Sequence, residues 1–219
     1  KFIKKDKSKF ILSKGHGCLA LYAVLFDKGF IKRKELLSIG KFNSNLGGHP
    51  EFDKVKGVEV STGALGHGFP IAAGMAIAGK IKKDKKHYFV LCGDGEINEG
   101  SIWEALLSAS KHKLNNLTLL IDYNKLQSYG KTSEILNLEP LTEKFKSFNF
   151  KTFNINGHDI EEIESTLNKA LKTKNKPSVV ICHTIKGKGI DLAEGNSNWH
   201  HRSFLGDEDL LKIERSLGN

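Results

Sequence analysis

Cysteine is scarce in this chain of 219 residues, which contains only three. Cys18, Cys92 and Cys182 lie far apart and form no Cys-x-x-Cys pair, so the sequence predicts neither a zinc site nor a disulfide framework. Cys92 and Cys182 each end an apolar run. We therefore expect them to be small, buried hydrophobic side chains.

Long apolar runs are also missing. None approaches the roughly 20 residues of a membrane-spanning helix. The first residues, Lys1-Phe2-Ile3-Lys4-Lys5, lack the apolar stretch and the small-residue cleavage site of a signal peptide. No internal repeat or low-complexity tract appears. These features predict a cytoplasmic protein with no membrane partner.

Acidic residues are outnumbered by basic ones, and the formal net charge is +9. The aromatic residues do not alternate with the basic residues, as they do in proteins that bind single-stranded nucleic acid. Most lysines are scattered, and Lys186-Gly187-Lys188 is the one basic cluster in a motif-like setting. We therefore expect an anionic small ligand rather than a nucleic acid.

Short apolar segments alternate with segments of helical periodicity. The predicted strands are 88–92, 117–122, 151–155 and 178–183. The predicted helices are 18–26, 69–80, 99–112, 160–171 and a short one from 207, with Asp159 and Asp207 as N-caps. Apolar strands separated by helices predict an α/β fold: a doubly wound, mainly parallel sheet with helices on both faces, in one domain over residues 1–219. Residues 184–203 have no period and predict a long functional loop.

Two polar side chains follow neighbouring predicted strands. Gly93-Asp94-Gly95 comes directly after one strand, and Asn124 follows the next, 30 residues further along the chain. Because ligands of a doubly wound sheet bind at the carboxyl ends of its strands, Asp94 and Asn124 are expected to meet there. Each residue alone is typical of a plain turn. Their joint placement favours a site for a divalent cation with oxygen ligands.

The same residues resemble a known family. Gly93-Asp94-Gly95 with a distant Asn124 is similar to the signature of thiamine-diphosphate enzymes. Five further segments resemble motifs of transketolases, in the order of that family: Ser13-Lys14-Gly15-His16-Gly17, Gly47-Gly48-His49-Pro50, Ser61–Gly68, Ile185-Lys186-Gly187-Lys188-Gly189 and Trp199-His200. The resemblance runs over residues 10–203 and implies the thiamine-diphosphate-binding fold, in the part that binds the diphosphate.

The resemblance implies a metal site and a cofactor site. Asp94, Asn124 and the backbone carbonyl of Leu126 would complete the shell of Mg2+, or of another divalent cation such as Ca2+ or Mn2+. The residues implied to bind thiamine diphosphate are His16, Gly63, Ala64, Leu65, Gly93, Gly95, Asn124, Lys186 and His200. Lys186 would lie near the diphosphate as a point charge.

Three histidines carry the implied catalytic roles. His16, His49 and His200 would face the thiazolium ring and the sugar hydroxyls, where an imidazole donates to a carbonyl oxygen and relays protons. The macrodipole of the helix that follows His16 would disfavour its imidazolium form. His201 is an alternative to His200, because either could fill the family's Trp-His motif.

Glu99 is a fourth implied catalytic residue. It begins the helix after the metal loop, which favours a carboxylate whatever its role. The resemblance implies that it lies at a dimer interface and couples two cofactor sites. His67 stands where the family often has Gln, and its role is left open.

The implied activity is transfer of a two-carbon ketol unit from a ketose phosphate to an aldose phosphate, as in the pentose phosphate pathway. Family enzymes use two α/β domains, and too few residues follow Trp199-His200 for the second one. We therefore expect a separate C-terminal transketolase subunit to supply the activating Glu, in a homodimer or a heterotetramer. The family's earlier Ser-Gly-His motif has no counterpart before Ser13, so this N-terminal segment is expected to be absent.

Other readings compete with this one. A sibling enzyme, such as 1-deoxyxylulose-5-phosphate synthase, phosphoketolase or dihydroxyacetone synthase, shares the cofactor. The Ser-Lys-Gly-His and Trp-His motifs favour the transketolase branch. A non-catalytic cofactor-binding subunit would not need Asp94, Asn124 and three histidines. A nucleic-acid-binding module would bind in a steeply salt-dependent way.

Overall fold

The computed structural model of the protein describes residues 2–3, 7–200, 202 and 204–218. Its centre is a five-stranded sheet with the strand order β1-β2-β3-β7-β6. The strands are β1 (Ser8–Leu12), β2 (His87–Gly93), β3 (Leu117–Tyr123), β6 (Lys151–Asn156) and β7 (Ser178–His183). A separate hairpin pairs β4 (Leu126–Gln127) with β5 (Gly130–Lys131). All neighbouring strands of the large sheet are parallel, so their carboxyl ends meet at one edge.

Helices connect the strands. They are α1 (Cys18–Asp27), α2 (Arg33–Leu36), α3 (Gly68–Ile81), α4 (Gly100–Lys111), α5 (Thr132–Ile135), α6 (Leu141–Ser147), α7 (Ile160–Leu171) and α8 (Asp207–Ser216). The chain moves in one direction from β1 through β2 to β3 and in the opposite direction from β6 to β7. Because such crossovers are right-handed, α3 and α4 cover one face of the sheet and α7 the other. The predicted doubly wound, parallel α/β fold is confirmed.

The central strands form because their residues are apolar on both faces of the sheet. In β2 and β3, Val90, Leu119 and Ile121 are fully buried, as expected for strands covered on both faces. The four predicted strands agree with the structure to within two residues at either end. The edge strand β1 was missed, because its sequence Ser-Lys-Phe-Ile-Leu begins with two polar residues.

Helix α3 lies close to the sheet because its inner side chains are small. Ala72, Ala73 and Ala76 are buried, and a Cβ added to Gly79 would lie 3.3 Å from the hydroxyl of Tyr88. Phe69, at the start of α3, is fully buried and contributes about 2–3 kcal/mol by burial. These small residues let α3 pack closely against the sheet.

Three details differ from the predictions. Asp207 is the first residue of α8, and Gly206 occupies the N-cap position. Cys182 is only half-buried, because it lies near the end of β7, whereas Cys92 is fully buried. The predicted loop contains a 3₁₀ turn at Ser197–Trp199, although residues 184–196 have no helix or strand.

Among the described residues, no helix is long and apolar enough to cross a membrane.

Candidate active site

The loop that follows β2 buries a carboxylate at the edge of the sheet. Asp94 is 2% exposed and caps the 3₁₀ turn Gly95–Asn98. Its Oδ1 accepts a hydrogen bond of 2.8 Å from the backbone N–H of Gly95. Its Oδ2 accepts one of 2.5 Å from the backbone N–H of Lys125. Asp94 therefore contacts the segment that carries Asn124, as the strand positions predicted.

Asn124 begins a tight turn after β3. Its Oδ1 accepts a hydrogen bond of 3.0 Å from the backbone N–H of Leu126, and the intervening Lys125 is left-handed with φ 65°. The turn leads into the β4–β5 hairpin at Leu126. Asp94, Asn124 and Leu126 all line one cleft. The structure therefore brings the three predicted metal ligands together at two adjacent strand ends.

Burial of Asp94 changes its acid strength. Loss of hydration raises its pKa to about 6, and the charge of Asp122 adds to this effect, while the two backbone hydrogen bonds oppose it. A carboxylate that is costly to ionise is stabilised by a cation beside it.

The residues of this cleft fit a hard divalent cation. Among the described residues, no three His, Cys, Asp or Glu side chains come together as a metal cluster. The cation would therefore be held by the carboxylate of Asp94 together with amide and carbonyl oxygens from Asn124 and Leu126. Oxygen donors of this kind, completed by phosphate oxygens, suit Mg2+.

Two lysines supply positive charge beside these oxygens. Lys14 Nζ is 2.6 Å from Asp122 Oδ2, and Thr184 donates its hydroxyl to the other oxygen of Asp122. Lys186 is half-buried in the cleft, and its pKa is lowered by burial first and by the charge of Lys14 second. Lys14 is neutralised by Asp122, so Lys186 is the cation better placed to meet an anionic ligand.

The cleft has a volume of about 620 Å³, which is sufficient for a cofactor-sized ligand. It is lined by every predicted catalytic, metal-binding and cofactor-binding residue except Ala64. Ala64 is exposed and lies outside the lining, although Gly63 and Leu65 on either side of it belong to the lining. Sequence reasoning included Ala64 because it lies inside a motif.

The three predicted histidines surround the cleft. The rings of His16 and His200 lie 5.2 Å apart, centre to centre. His49 approaches from a different loop, and a Cβ added to Gly63 would come within 3.0 Å of its ring. Gly63 also has φ 149°, a conformation that L side chains rarely adopt. The alternative His201 lies outside the described residues.

The loop that carries His49 is held by a buried tyrosine of α1. The Tyr22 hydroxyl lies 3.1 Å from the carbonyl oxygens of both Gly47 and His49. Its side chain is fully buried, and burial raises its pKa to about 12. A hydroxyl in contact with two carbonyls fixes the loop, although it donates one proton at a time.

Glu99 lies at the mouth of the cleft. It is exposed and occupies the N-cap position of α4, but its side chain does not cap the helix. Gly66 packs so closely that an added Cβ would lie 2.5 Å from the Cβ of Glu99. Its predicted role in coupling two cofactor sites stays a prediction.

Gly95 serves a purpose that the sequence did not reveal. An added Cβ would lie 2.6 Å from Gln127 Oε1 and 2.8 Å from Gln127 Cβ. The space beside Gly95 is therefore occupied by the β4–β5 hairpin. This close approach alone requires glycine at position 95.

Sequence reasoning missed Glu96, whose carboxylate joins three segments beneath the cleft. Oε1 accepts hydrogen bonds from the Ser13 hydroxyl, at 2.5 Å, and from the backbone N–H of Gly66, at 3.0 Å. Oε2 accepts one of 3.1 Å from the backbone N–H of Gly93. Glu96 is 2% exposed. Two of its three partners, Ser13 and Gly66, are distant in sequence, so no local pattern could have identified its role.

Comparison with known proteins identifies the family of the chain. The family model described as "Transketolase, thiamine diphosphate binding domain" matches residues 1–219. The chain therefore belongs to the transketolase family, as its thiamine-diphosphate-binding domain.

Particular relatives fall into two groups. The chain is 43% identical to a separate subunit of the apulose-4-phosphate transketolase of Actinobacillus succinogenes, over 97% of this chain and 76% of that protein. It is 38% identical to the 6-deoxy-6-sulfo-D-fructose transketolase subunit SqwG of a Clostridium species, over 94% and 74%. The transketolase structure from Campylobacter jejuni superimposes with a TM-score of 0.90 at 33% identity, over 97% of this chain but 34% of that one. This chain therefore spans about three quarters of the separate subunits but only a third of the longer transketolase.

Proposed function

We propose that this chain is the diphosphate-binding subunit of a two-chain transketolase. In this proposal it holds thiamine diphosphate and Mg2+ and transfers a two-carbon ketol unit from a ketose phosphate to an aldose phosphate, together with a separate C-terminal subunit. The observation that carries the proposal is the contact between buried Asp94 and the Asn124 segment, inside a cleft lined by three histidines.

Different residues of the cleft would bind the cation, the diphosphate and the ring of the cofactor. Asp94, Asn124 and the carbonyl of Leu126 would hold the cation, and Lys186 would neutralise part of the diphosphate. Gly63 would allow a flat ring to approach, because it has no side chain between His49 and the cleft. When bound, thiamine diphosphate would supply the carbon nucleophile and the electron sink of the reaction.

The histidines would handle protons and orient the sugar. His16 and His200 lie side by side at one part of the lining, and His49 lies next to Gly63. An imidazole ring can donate a proton to a sugar oxygen or accept one from it. Their separate positions suit a substrate with several hydroxyl groups.

The partner and the substrate are further parts of the proposal. Relatives named as separate subunits support a partner chain that supplies the activating Glu. Apulose 4-phosphate is the first ketose to test, because the relatives with 43% and 44% identity are named for it. A homodimer or heterotetramer in the cytoplasm is the assembly that we propose.

Calorimetry tests the binding step. Purified chain is titrated with thiamine diphosphate in the presence and absence of Mg2+, and the experiment is repeated with Asp94→Ala. We expect magnesium-dependent binding that the substitution abolishes. Equal affinity of both proteins would refute the metal assignment.

A turnover assay tests the two-chain arrangement. Ketol transfer is measured for the chain alone and after addition of a candidate C-terminal subunit. We expect activity only in the mixture. Transfer by the purified chain alone would refute the need for a partner.

A further inference from the structure

The loop that carries Lys186 is fixed by a side chain outside the cleft. Lys186 lies in residues 184–196, which have no helix or strand to hold them. The backbone N–H of the preceding residue, Ile185, donates a hydrogen bond of 2.8 Å to Nε2 of His158. His158 lies in the turn between β6 and α7, and it is not among the residues that line the cleft.

The backbone of Lys186 is therefore held on both sides. On the amino side, the His158 imidazole holds the amide of Ile185. On the carboxyl side, the carbonyl of Lys186 accepts a hydrogen bond of 2.8 Å from the backbone N–H of Gly195. With both ends of the residue fixed, the position from which its side chain extends into the cleft is fixed as well.

The turn that presents His158 is itself rigid. The backbone N–H of Gly157 donates to the carbonyl of His183, at 2.8 Å, and the N–H of His158 donates to Asn156 Oδ1, at 3.0 Å. A Cβ on Gly157 would collide with the side chain of Thr184. The β6–α7 turn thus packs directly against the beginning of the Lys186 loop.

We propose that His158 is a positioning residue that sets Lys186 toward the diphosphate of the cofactor by accepting the Ile185 amide. The proposal rests on the function proposed above. A backbone N–H only donates, so Nε2 must be the acceptor, and the neutral ring carries its proton on Nδ1. The role therefore requires an acceptor atom at this point in space, not a charge.

Five variants test the proposal through the affinity for thiamine diphosphate with Mg2+. His158→Leu removes the acceptor, and we expect affinity to fall roughly 3- to 10-fold, the effect of one hydrogen bond. His158→Gln keeps an acceptor oxygen and should restore most of the affinity. His112→Leu, a matched change of a distant exposed histidine, should bind as the wild type does. In a Lys186→Met background, His158→Leu should add little further loss, because both act through the same ammonium group.

Two results would overturn the proposal. One is wild-type affinity in His158→Leu, and the other is a full additional loss in the double variant. Since His158 is exposed, the substitutions should leave the melting temperature nearly unchanged.

Amide hydrogen exchange tests the contact between His158 and Ile185 in the protein without any ligand. The Ile185 amide should exchange faster in His158→Leu than in the wild type or His158→Gln. Equal protection in all three would also overturn the proposal. If the wild type binds no thiamine diphosphate, the proposed function fails, and the exchange result still decides whether His158 holds the loop.

Discussion

The amino and carboxyl ends of the parallel strands differ in how their buried polar groups are satisfied. At the amino end, the buried His87 ring has its Nε2 2.8 Å from the hydroxyl of Thr118, which is also buried. At the carboxyl end, Asp94 and Lys186 face an open cleft. Burial raises the pKa of Asp94 and lowers that of Lys186, which favours the neutral form of each side chain. The buried His87–Thr118 pair at the amino end is satisfied within the fold, whereas the carboxyl end keeps charges that a ligand would satisfy.

The largest expected effect is at the carboxyl end. Asp94→Asn keeps an acceptor for the Lys125 amide but removes the negative charge, so affinity for thiamine diphosphate with Mg2+ should fall about a thousandfold, or about 4 kcal/mol. Calorimetry measures this change. The control is Asp84→Asn at the other end, whose carboxylate pairs with Lys86 and should leave affinity unchanged.

The same substitution should stabilise the ligand-free protein. The pKa of Asp94 is raised from 3.8 to about 6, so the folded state binds the proton more tightly and loses stability as the pH rises through this range. At pH 7 the ionised group costs about 3 kcal/mol, and Asp94→Asn should recover part of it. Urea unfolding measures the difference, and a less stable variant would contradict the comparison between the two ends.

Glu96→Ala should destabilise the protein by about 3 kcal/mol, because it leaves the Ser13 hydroxyl and two backbone N–H groups without their buried acceptor. Urea unfolding at pH 7 measures the loss. Glu99→Ala, a neighbouring exposed carboxylate, is the matched control and should change stability by less than about 0.5 kcal/mol. Equal effects would show that Glu96 does not join the three segments.

His87 should give a pH dependence of the opposite sign to that of Asp94. Burial lowers its pKa from 6.5 to about 4, so the unfolded state binds the proton more tightly between these values. Stability from His87 is lost as the pH falls through this window, by about 2 kcal/mol at pH 5. The wild type should lose this much more than His87→Gln between pH 7 and 5, as measured by urea unfolding. A parallel pH dependence in both proteins would refute the assignment.

The smallest expected effect concerns the loop that carries His49. Tyr22→Phe removes the hydroxyl that contacts the Gly47 and His49 carbonyls, and should cost about 1 kcal/mol of stability. The turnover of the assembled enzyme should fall with it, because His49 loses its fixed position. Tyr129→Phe, at a hydroxyl that is largely exposed, should leave stability unchanged.

Local sequence patterns predicted the parts of the structure that depend on local chemistry. The apolar strands and the helices between them followed from periodicity, and the meeting of Asp94 with the Asn124 segment followed from the geometry of parallel strands. The roles of Glu96, Asp122 and His158 could not be predicted in this way. Each acts through partners that only the folded chain brings near, such as Ser13 for Glu96 and Ile185 for His158.

The family motifs supplied the remaining site residues, including His49 and Lys186, whose positions no periodicity predicts. They also introduced Ala64, which the structure places outside the lining of the cleft. The distinction between lining and neighbouring residues requires the structure.

The contact between Gly95 and Gln127 has a consequence for how the cleft could be altered. The β4–β5 hairpin can pack against the loop that follows β2 only because position 95 carries no side-chain carbon. Alanine there would act as a wedge, moving the hairpin outward and carrying Leu126 away from Asp94. A single methyl group at this point would therefore widen the entrance and weaken the proposed cation site, without changing any of the atoms proposed to bind the cation.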